Sequence, residues 1–229
     1  LQEIGIDPGS ILIEPEAKNT AAAILAASIF VDAIDNDAVI LVAPSDHVIP
    51  DTDAFHDVIK VGLAHVQNQK MVTFGIRPTH PETGYGYLEL STAPLDEYGS
   101  SDLKTFIEKP KVHNAKQMVE AGHYLWNAGI FVGKVSSVVA AFDEFAAELG
   151  APLRDIAKAL LAGKNFQSAW DALPSIAFDY AVAEPAARAG KFLVVPGSFG
   201  WQDVGDFASL AGVRDNGATS DVIVVGDTT

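Results

Sequence analysis

Short apolar runs rich in β-branched residues alternate along the chain with longer amphipathic or alanine-rich stretches. The short runs predict strands over residues 11–14, 38–43, 71–76, 85–90, 103–108, 128–133, 192–195 and 221–225. Helices are predicted after Thr20, Asp53, Val112, Ser136, Ala151, Pro174 and Gly205. Asn19 or Thr20 is a candidate N-cap for the first helix, and Asp51 or Asp53 for the second, because a short polar side chain can accept from the orphan amides of a first turn. Strand, helix, strand, helix, strand is the order of an α/β layered sheet with right-handed crossovers. Between residues 79 and 133 strands predominate, joined by the turn-rich pieces HPETGYG and EYGSSD. That stretch predicts a mixed sheet with an inserted hairpin region forming one wall of a cleft. There is no internal repeat or linker, and the tail DNGATSDVIVVGDTT reads as the start of another element.

At 229 residues the chain is long enough to bury one substantial core. An apolar share of 48% with 20% charged residues fits a folded domain and not a disordered one. No apolar run reaches the roughly 20 residues of a membrane helix, so no membrane partner is expected. The opening LQEIGIDPGS has no Met, no basic region and no signal-type apolar stretch. It reads as a chain entered part-way. With no cysteine, disulfides and thiolate metal sites are excluded and a cytoplasmic location is the expectation. The formal charge of −15 repels a polyanion, and no Lys/Arg cluster marks a nucleic-acid footprint. A small phosphorylated ligand is compatible with that field, because a divalent cation held by carboxylates inverts it locally.

The candidate chemistry lies at strand ends and turns. In VILVAPSDHVI the strand ends at Pro44-Ser45-Asp46-His47, and Asp46 stands where open α/β sheets place ligands. Capping the next helix is the plainer role for this Asp. In FGWQDVGDF, Asp203 lies between Trp201 and Gly205, either presenting a carboxylate or closing an Asx-turn. Two carboxylates on separate strand ends can hold one Mg²⁺, if they converge. In PETGYGYLEL, Gly84 and Gly86 flank Tyr85, which permits close backbone approach with amides free to donate, or simply a hairpin. FIEKP puts Glu108 and Lys109 at a strand end, as a sugar-hydroxyl acceptor and a phosphate charge or as a solvated ion pair. Asn127 in YLWNAGIFV can donate and accept at a polar pocket, while Trp126 reads as core. In EPEAKNTAAAILAA, Lys18, Asn19 and Thr20 sit at a helix start, whose free amides favour anions.

Taken in order, EPEAKNTAAAI, VAPSDHVI, FGIRPTHPETGYGY, FIEKP, YLWNAGIF, SIAFDYAVAE and GWQDVG resemble the mannose-1-phosphate guanylyltransferase family of sugar-phosphate nucleotidyltransferases, from about Glu14 to Leu210. The resemblance implies a nucleotide-diphospho-sugar transferase (GT-A-like) fold, a three-layer α/β/α arrangement with a mixed, mostly parallel sheet. Residues 1–215 would form the catalytic core, and 216–229 would begin a C-terminal β-rich element. It implies GTP and mannose 1-phosphate as substrates, with Asp46 and Asp203 as Mg²⁺ ligands. Gly84, Tyr85 and Gly86 would line the sugar site, Glu108 would meet the mannose hydroxyls, Lys109 the sugar phosphate, and Asn127 the sugar. Asn19 and Thr20 would lie by guanine or ribose, and Asp179 and Tyr180 would be structural support. The chemistry needs no general base, since a phosphate monoester with a second pKa near 6 is already ionised at neutral pH. His47 is therefore not cast as one.

The chain departs from the family pattern at both ends. The family normally opens with a strand and a Gly-rich loop carrying Arg and Lys, and nothing before Ile11 matches it. The expectation is a core without that first strand and loop, inactive as it stands, with apolar edges exposed on the strand's would-be neighbours. Two alternatives stay open: the same chemistry on another sugar or base, as in UDP- or dTDP-glucose synthesis, and a non-catalytic binding paralogue. Homo-oligomerisation is also open, and the sequence names no face for it.

Overall fold

The computed structural model describes residues 5, 9–66, 70–91 and 94–203. The strands are β1 (Val39–Val42), β2 (His47–Val48), β3 (Met71–Ile76), β4 (Tyr87–Leu90), β5 (Ser101–Ile107), β6 (Tyr124–Lys134), β7 (Phe192–Gly197) and β8 (Gln202–Asp203). The helices are α1 (Asn19–Asp32), α2 (Thr52–Val66), α3 (Val112–Ala121), α4 (Val135–Phe145), α5 (Ala147–Leu161), α6 (Gln167–Asp171) and α7 (Glu184–Arg188), with a π-helical turn at Asp179–Ala183 before α7.

The nearly continuous apolar run MVTFGI forms β3, buried on both faces, as a central strand should be. The main sheet runs β1-β6-β3-β7-β5-β4, and β4 also pairs with β6. On one face α2 covers a core built around Val72, Phe74, Ile130, Leu193 and Phe199, with Phe55, Val58 and Ile59 reaching down from the helix. On the other face α1, α4 and the π-helical turn bury Leu25, Phe131, Phe142 and Phe178. This is a three-layer α/β/α arrangement on a mixed sheet. The balance of strand directions differs from the expected, mostly parallel one: among the described pairs only β3–β7 is parallel. The reason is β6. It runs antiparallel to β1, β3 and β4 alike, so β1 and β3 point the same way without touching.

One strand can serve three partners because it is long and bent. Opposite β3, the register jumps from Thr73↔Phe131 to Gly75↔Asn127, so β6 carries extra residues there. Gly129 sits inside that bulge at φ +66°, a left-handed conformation that glycine adopts without cost. The bend lets Tyr124, Leu125 and Trp126 pair with β4 while Phe131–Lys134 pair with β1.

Several local expectations change. Asp51 caps α2, its Oδ1 accepting the Ala54 N–H at 2.9 Å. At α1 no side chain caps the helix; the Thr20 hydroxyl instead accepts the Phe178 N–H at 2.8 Å, tying α1 to a distant segment. The strand predicted over 11–14 does not form. Ile11 and Ile13 are 71% and 86% exposed, and Leu41 on β1 is 49% exposed. Among the described residues β1 pairs on one side only. A strand is held by ladder hydrogen bonds, and among the described residues, 11–14 have no neighbouring strand to make them with. Following Pro174 the chain stays irregular until the π-helical turn. The elements predicted after Gly205 and over 221–225, and the boundary at 215, lie outside the described residues. No helix among the described residues is long and apolar enough to cross a membrane.

Candidate functional site

A cavity of ≈ 310 Å³ opens at the end of β1 and the bend of β6. Of the residues singled out from sequence, it brings together Thr20, Gly84, Tyr85, Gly86, Glu108, Lys109, Asn127 and Asp203. Asn19 and Asp46 do not line it. Asn19 is exposed at φ +64°, and its Oδ1 accepts the Thr20 N–H at 2.8 Å. Asp46 is exposed, one residue before β2.

One end of the cavity is built on the bend in β6. Asn127 is 7% exposed and its amide is committed to the protein. The Thr73 hydroxyl approaches Asn127 Oδ1 at 2.9 Å and the Ile130 carbonyl at 3.1 Å, and Asn127 Nδ2 donates to Asp179 Oδ1 at 3.2 Å. Asn127 therefore orients Asp179 instead of offering a full amide to a ligand. Asp179, read from the sequence as structural support, lines the cavity itself. It starts the π-helical turn, a local widening that recurs at functional sites. Burial pushes its carboxyl pKa up, against the charge of Lys109 and the Asn127 hydrogen bond. A signal was present: a lone Asp inside the apolar run SIAFDYAVA is a buried charge, and buried charges need partners.

Glu108 faces the same space. Its side chain is 10% exposed, and Lys109 Nζ lies 3.6 Å from its Oε1. Burial first, and then the Asp179 charge, push its pKa up to about 7, with Lys109 opposing. A Cβ added at Gly86 would sit 2.6 Å from Glu108 Oε2, so glycine is what lets this carboxyl lie against the start of β4. Lys109 holds φ +45°, uncommon for a side-chain-bearing residue. Glu184 on α7 accepts the Glu108 N–H at 3.1 Å and pairs with Arg188 at 3.2 Å. The loop before β4 is closed by Glu82, whose Oε1 accepts from the Thr83 and Gly84 N–H groups at 2.7 and 2.8 Å. The Gly84 amide, expected to be free for a ligand, is thereby used, and these bonds hold the Glu82 pKa below its usual value.

The other end rests on an antiparallel ladder of two short strands, which the sequence pattern did not predict. β2 and β8 pair His47 with Asp203 and Val48 with Gln202. That register sets Asp46 one residue from the position opposite Asp203. Trp201 Nε1 donates to His47 Nδ1 at 3.1 Å, which leaves His47 Nε2 to carry the proton in the neutral ring. Burial pushes the His47 pKa down, outweighing the opposing charges of Asp203 and Asp46. Tyr85 bridges the two ends, edge-on to Trp201 at 5.1 Å and to Trp126 at 5.4 Å between ring centroids.

The comparisons with known proteins agree with this architecture. The sequence matches the family profile described as Nucleotidyl transferase over residues 3–219. It is 37% identical over 222 residues to the xanthan biosynthesis protein XanB of Xanthomonas campestris pv. campestris (strain B100), covering 94% of this chain and 45% of XanB. It is 34% identical over 230 residues to a mannose-1-phosphate guanylyltransferase of Sinorhizobium fredii (strain NBRC 101917 / NGR234), covering 97% and 43% respectively. A crystal structure described as mannose-1-phosphate geranyltransferase from Thermus thermophilus aligns with TM-score 0.75 at 32% identity, over 89% of this chain and 57% of that one. The chain thus spans less than half the length of these two curated relatives. With the profile matched across nearly its whole length, the chain belongs to the nucleotidyl transferase family.

Proposed function

We propose that this chain is the core of a mannose-1-phosphate guanylyltransferase, converting GTP and mannose 1-phosphate to GDP-mannose and pyrophosphate. The observation that carries the reading is the β2–β8 ladder. It sets Asp203, paired with His47, at one end of a cavity whose other end carries Gly86, Glu108, Lys109 and Asp179, with Asp46 next to His47 in the chain and outside the lining. Relatives bearing the guanylyltransferase name support the choice of sugar and base.

The two ends divide the work. At the sugar end, Glu108 and Asp179 take the hydroxyl groups and Lys109 supplies a point charge for the sugar phosphate. A non-bridging oxygen of that phosphate attacks the α-phosphorus of GTP in line. The bond from that phosphorus to the β-phosphate breaks, and pyrophosphate leaves with the electron pair. Asp46 and Asp203, whose charges both act on His47, would be the ligands of a Mg²⁺ ion, since a hard cation of this size takes one or two carboxylates and completes its shell with phosphate and water. Such an ion would supply positive charge against the phosphates. His47, neutral and held by Trp201, presents a donor and not a base. Alignment and charge stabilisation then account for catalysis.

The test is a substrate panel with Mg²⁺: GTP, UTP and dTTP against mannose, glucose and N-acetylglucosamine 1-phosphates. GTP with mannose 1-phosphate is the expected preferred pair. Preference for UTP or dTTP with glucose 1-phosphate would move the chain to another branch of the family, and ligand binding without turnover even in the full-length natural protein would make it a binding paralogue. Little or no turnover is expected of the 229-residue chain by itself. Among the described cavity-lining residues Lys109 is the single cation, set against a triphosphate.

A further inference from the structure

We infer that His47 is a fixed hydrogen-bond donor to a phosphate oxygen of the nucleotide, and that Trp201 is the positioning residue that sets which of its ring nitrogens carries the proton. The inference rests on the nucleotidyl-transfer reading of the cavity and assigns His47 and Trp201 their part in it.

The short ladder brings the parts together. His47 on β2 stands directly opposite Asp203 on β8, so the two side chains emerge on one face. Trp201 lies two residues before Asp203, and the alternation along the strand it leads into returns it to that face. There its Nε1–H donates to His47 Nδ1 at 3.1 Å, with the rings edge-on at 5.4 Å between centroids. An indole nitrogen only donates, so in the neutral imidazole Nδ1 is the bare nitrogen and Nε2 the protonated one. Trp201 is itself held, 8% exposed and edge-on to Tyr85 at 5.1 Å. A third contact comes from the bulge of β6. A Cβ at Gly129 would come within 3.4 Å of His47 Cε1, so the ring lies against bare backbone there. The imidazole is thus fixed at Nδ1 and along Cε1, and among the described residues its Nε2 has no hydrogen-bond partner. His47, Gly129, Trp201 and Asp203 all line the cavity.

Hydrogen-bond chemistry decides what that nitrogen meets. A carboxylate and a phosphate oxygen both accept, so Asp203 gives a phosphate nothing to bind directly. Lys109, the cation among the described lining residues, belongs to the sugar end. Beside Asp203 the ring N–H of His47 is the group that can donate, and an anionic oxygen is its strongest acceptor. The α-phosphate is the part of the nucleotide that both ends must share, because the sugar phosphate attacks it. A neutral N–H adds direction more than charge, and an in-line displacement depends on direction.

The test has a spectroscopic arm and a binding arm. Heteronuclear NMR of the histidine ring nitrogens at pH 8, where an ordinary imidazole with pKa about 6.5 is neutral, reads the tautomer. His47 is expected to be one population with its proton on Nε2. Trp201→Phe keeps an aromatic ring and removes the indole N–H, so a second population protonated on Nδ1 should appear. The Nε2–H signal should move when GDP-mannose is added with Mg²⁺ and stay in place with mannose 1-phosphate alone. In titration calorimetry, GDP-mannose carries the α-phosphate without pyrophosphate. It should bind His47→Ala about tenfold or more weakly, the loss of a hydrogen bond to a charged group. His47→Gln, whose amide N–H can reach the place of Nε2, should stay within about threefold of native. Mannose 1-phosphate affinity should change by less than about twofold in either variant. Native His47 protonated on Nδ1, or GDP-mannose affinity unchanged in His47→Ala, would overturn the inference and leave the GDP-mannose reading in place. A single Nε2–H population in Trp201→Phe would remove Trp201 from its role. If UDP-glucose and not GDP-mannose shows the dependence on His47, the donor stands and the mannose assignment falls. If neither nucleotide sugar binds, both fall together. Circular dichroism of each variant separates these outcomes from loss of fold.

Discussion

The two ends of the cavity are built to different standards. At the sugar end, four separate supports converge: the Thr73–Asn127–Asp179 chain, the Glu82 clamp, the Thr20–Phe178 tie and the Glu184 contact to Glu108. At the carboxylate end, Asp203 hangs on a two-residue ladder and Asp46 is exposed. A neutral sugar gives only directional hydrogen bonds, so its site must be rigid before the ligand arrives. Phosphate and metal bring strong, weakly directional charge, and they can organise a sparse site on binding. The contrast predicts that mutations at one end should damage chemistry and at the other damage fold and sugar affinity.

The largest effect that sharpens the contrast is expected at Asp203. Asp203→Ala should cut Mg²⁺-dependent GDP-mannose formation by about a thousandfold or more, while the melting temperature moves by less than about 2 °C, since a half-buried side chain on a two-residue ladder adds little to stability. Near-normal turnover would remove Asp203 from the proposed metal site. Next comes Asn127→Ala, which removes the side-chain donor to Asp179. Urea unfolding should show a loss of about 3 kcal/mol, the upper range for an abandoned buried partner. A loss as small as that of a surface residue would mean the two ends are not differently built.

A pH series follows from Glu108. Between pH 4.5 and about 7 the folded chain holds a proton there that the unfolded chain has released. Stability from this group is therefore full below the lower value and falls as pH rises through the upper, by about 3 kcal/mol in all. The difference in unfolding free energy between native protein and Glu108→Gln should accordingly widen from pH 5 to pH 8 in favour of the variant. The smallest effect is assigned to Gly86→Ala. Its methyl would push the Glu108 carboxyl aside, raising the KM for mannose 1-phosphate about tenfold and leaving that for GTP within about twofold. Equal changes in both constants would break the division of labour between the ends.

Much of the fold was legible because the periodicity is strong where the core is continuous. β3 and β7, wholly or largely buried runs, are read from composition alone. The failures share a physical cause: they depend on partners distant in sequence. Residues 11–14 have the composition of a strand, and no ladder forms to satisfy it. β2 and β8 have only two residues each, too few for any period, and they exist because their partner is there. The same holds at the site. Glu108, Lys109, Gly86 and Asp203 stand out locally as charges or glycines at strand ends, and the cavity collects them. Asp179 was passed over because its neighbours are apolar, although a charge among such neighbours is held there by something. Thr20 and Asn127, assigned ligand contacts, line the cavity and also spend polar groups on Phe178 and Asp179, which no local pattern announces.

The half-paired edge of β1 has a colloidal consequence. Among the described residues its outer side has no strand partner beside Val39 and Leu41, a surface to which another copy could add a strand. What opposes that in dilute buffer is the mutual repulsion of chains carrying −15 each. Repulsion of this kind reaches about 10 Å at 0.1 M salt and about 3 Å at 1 M. The solubility of this chain is therefore a balance between a short-ranged attraction and a screened one-sign field, and added salt tips it towards association.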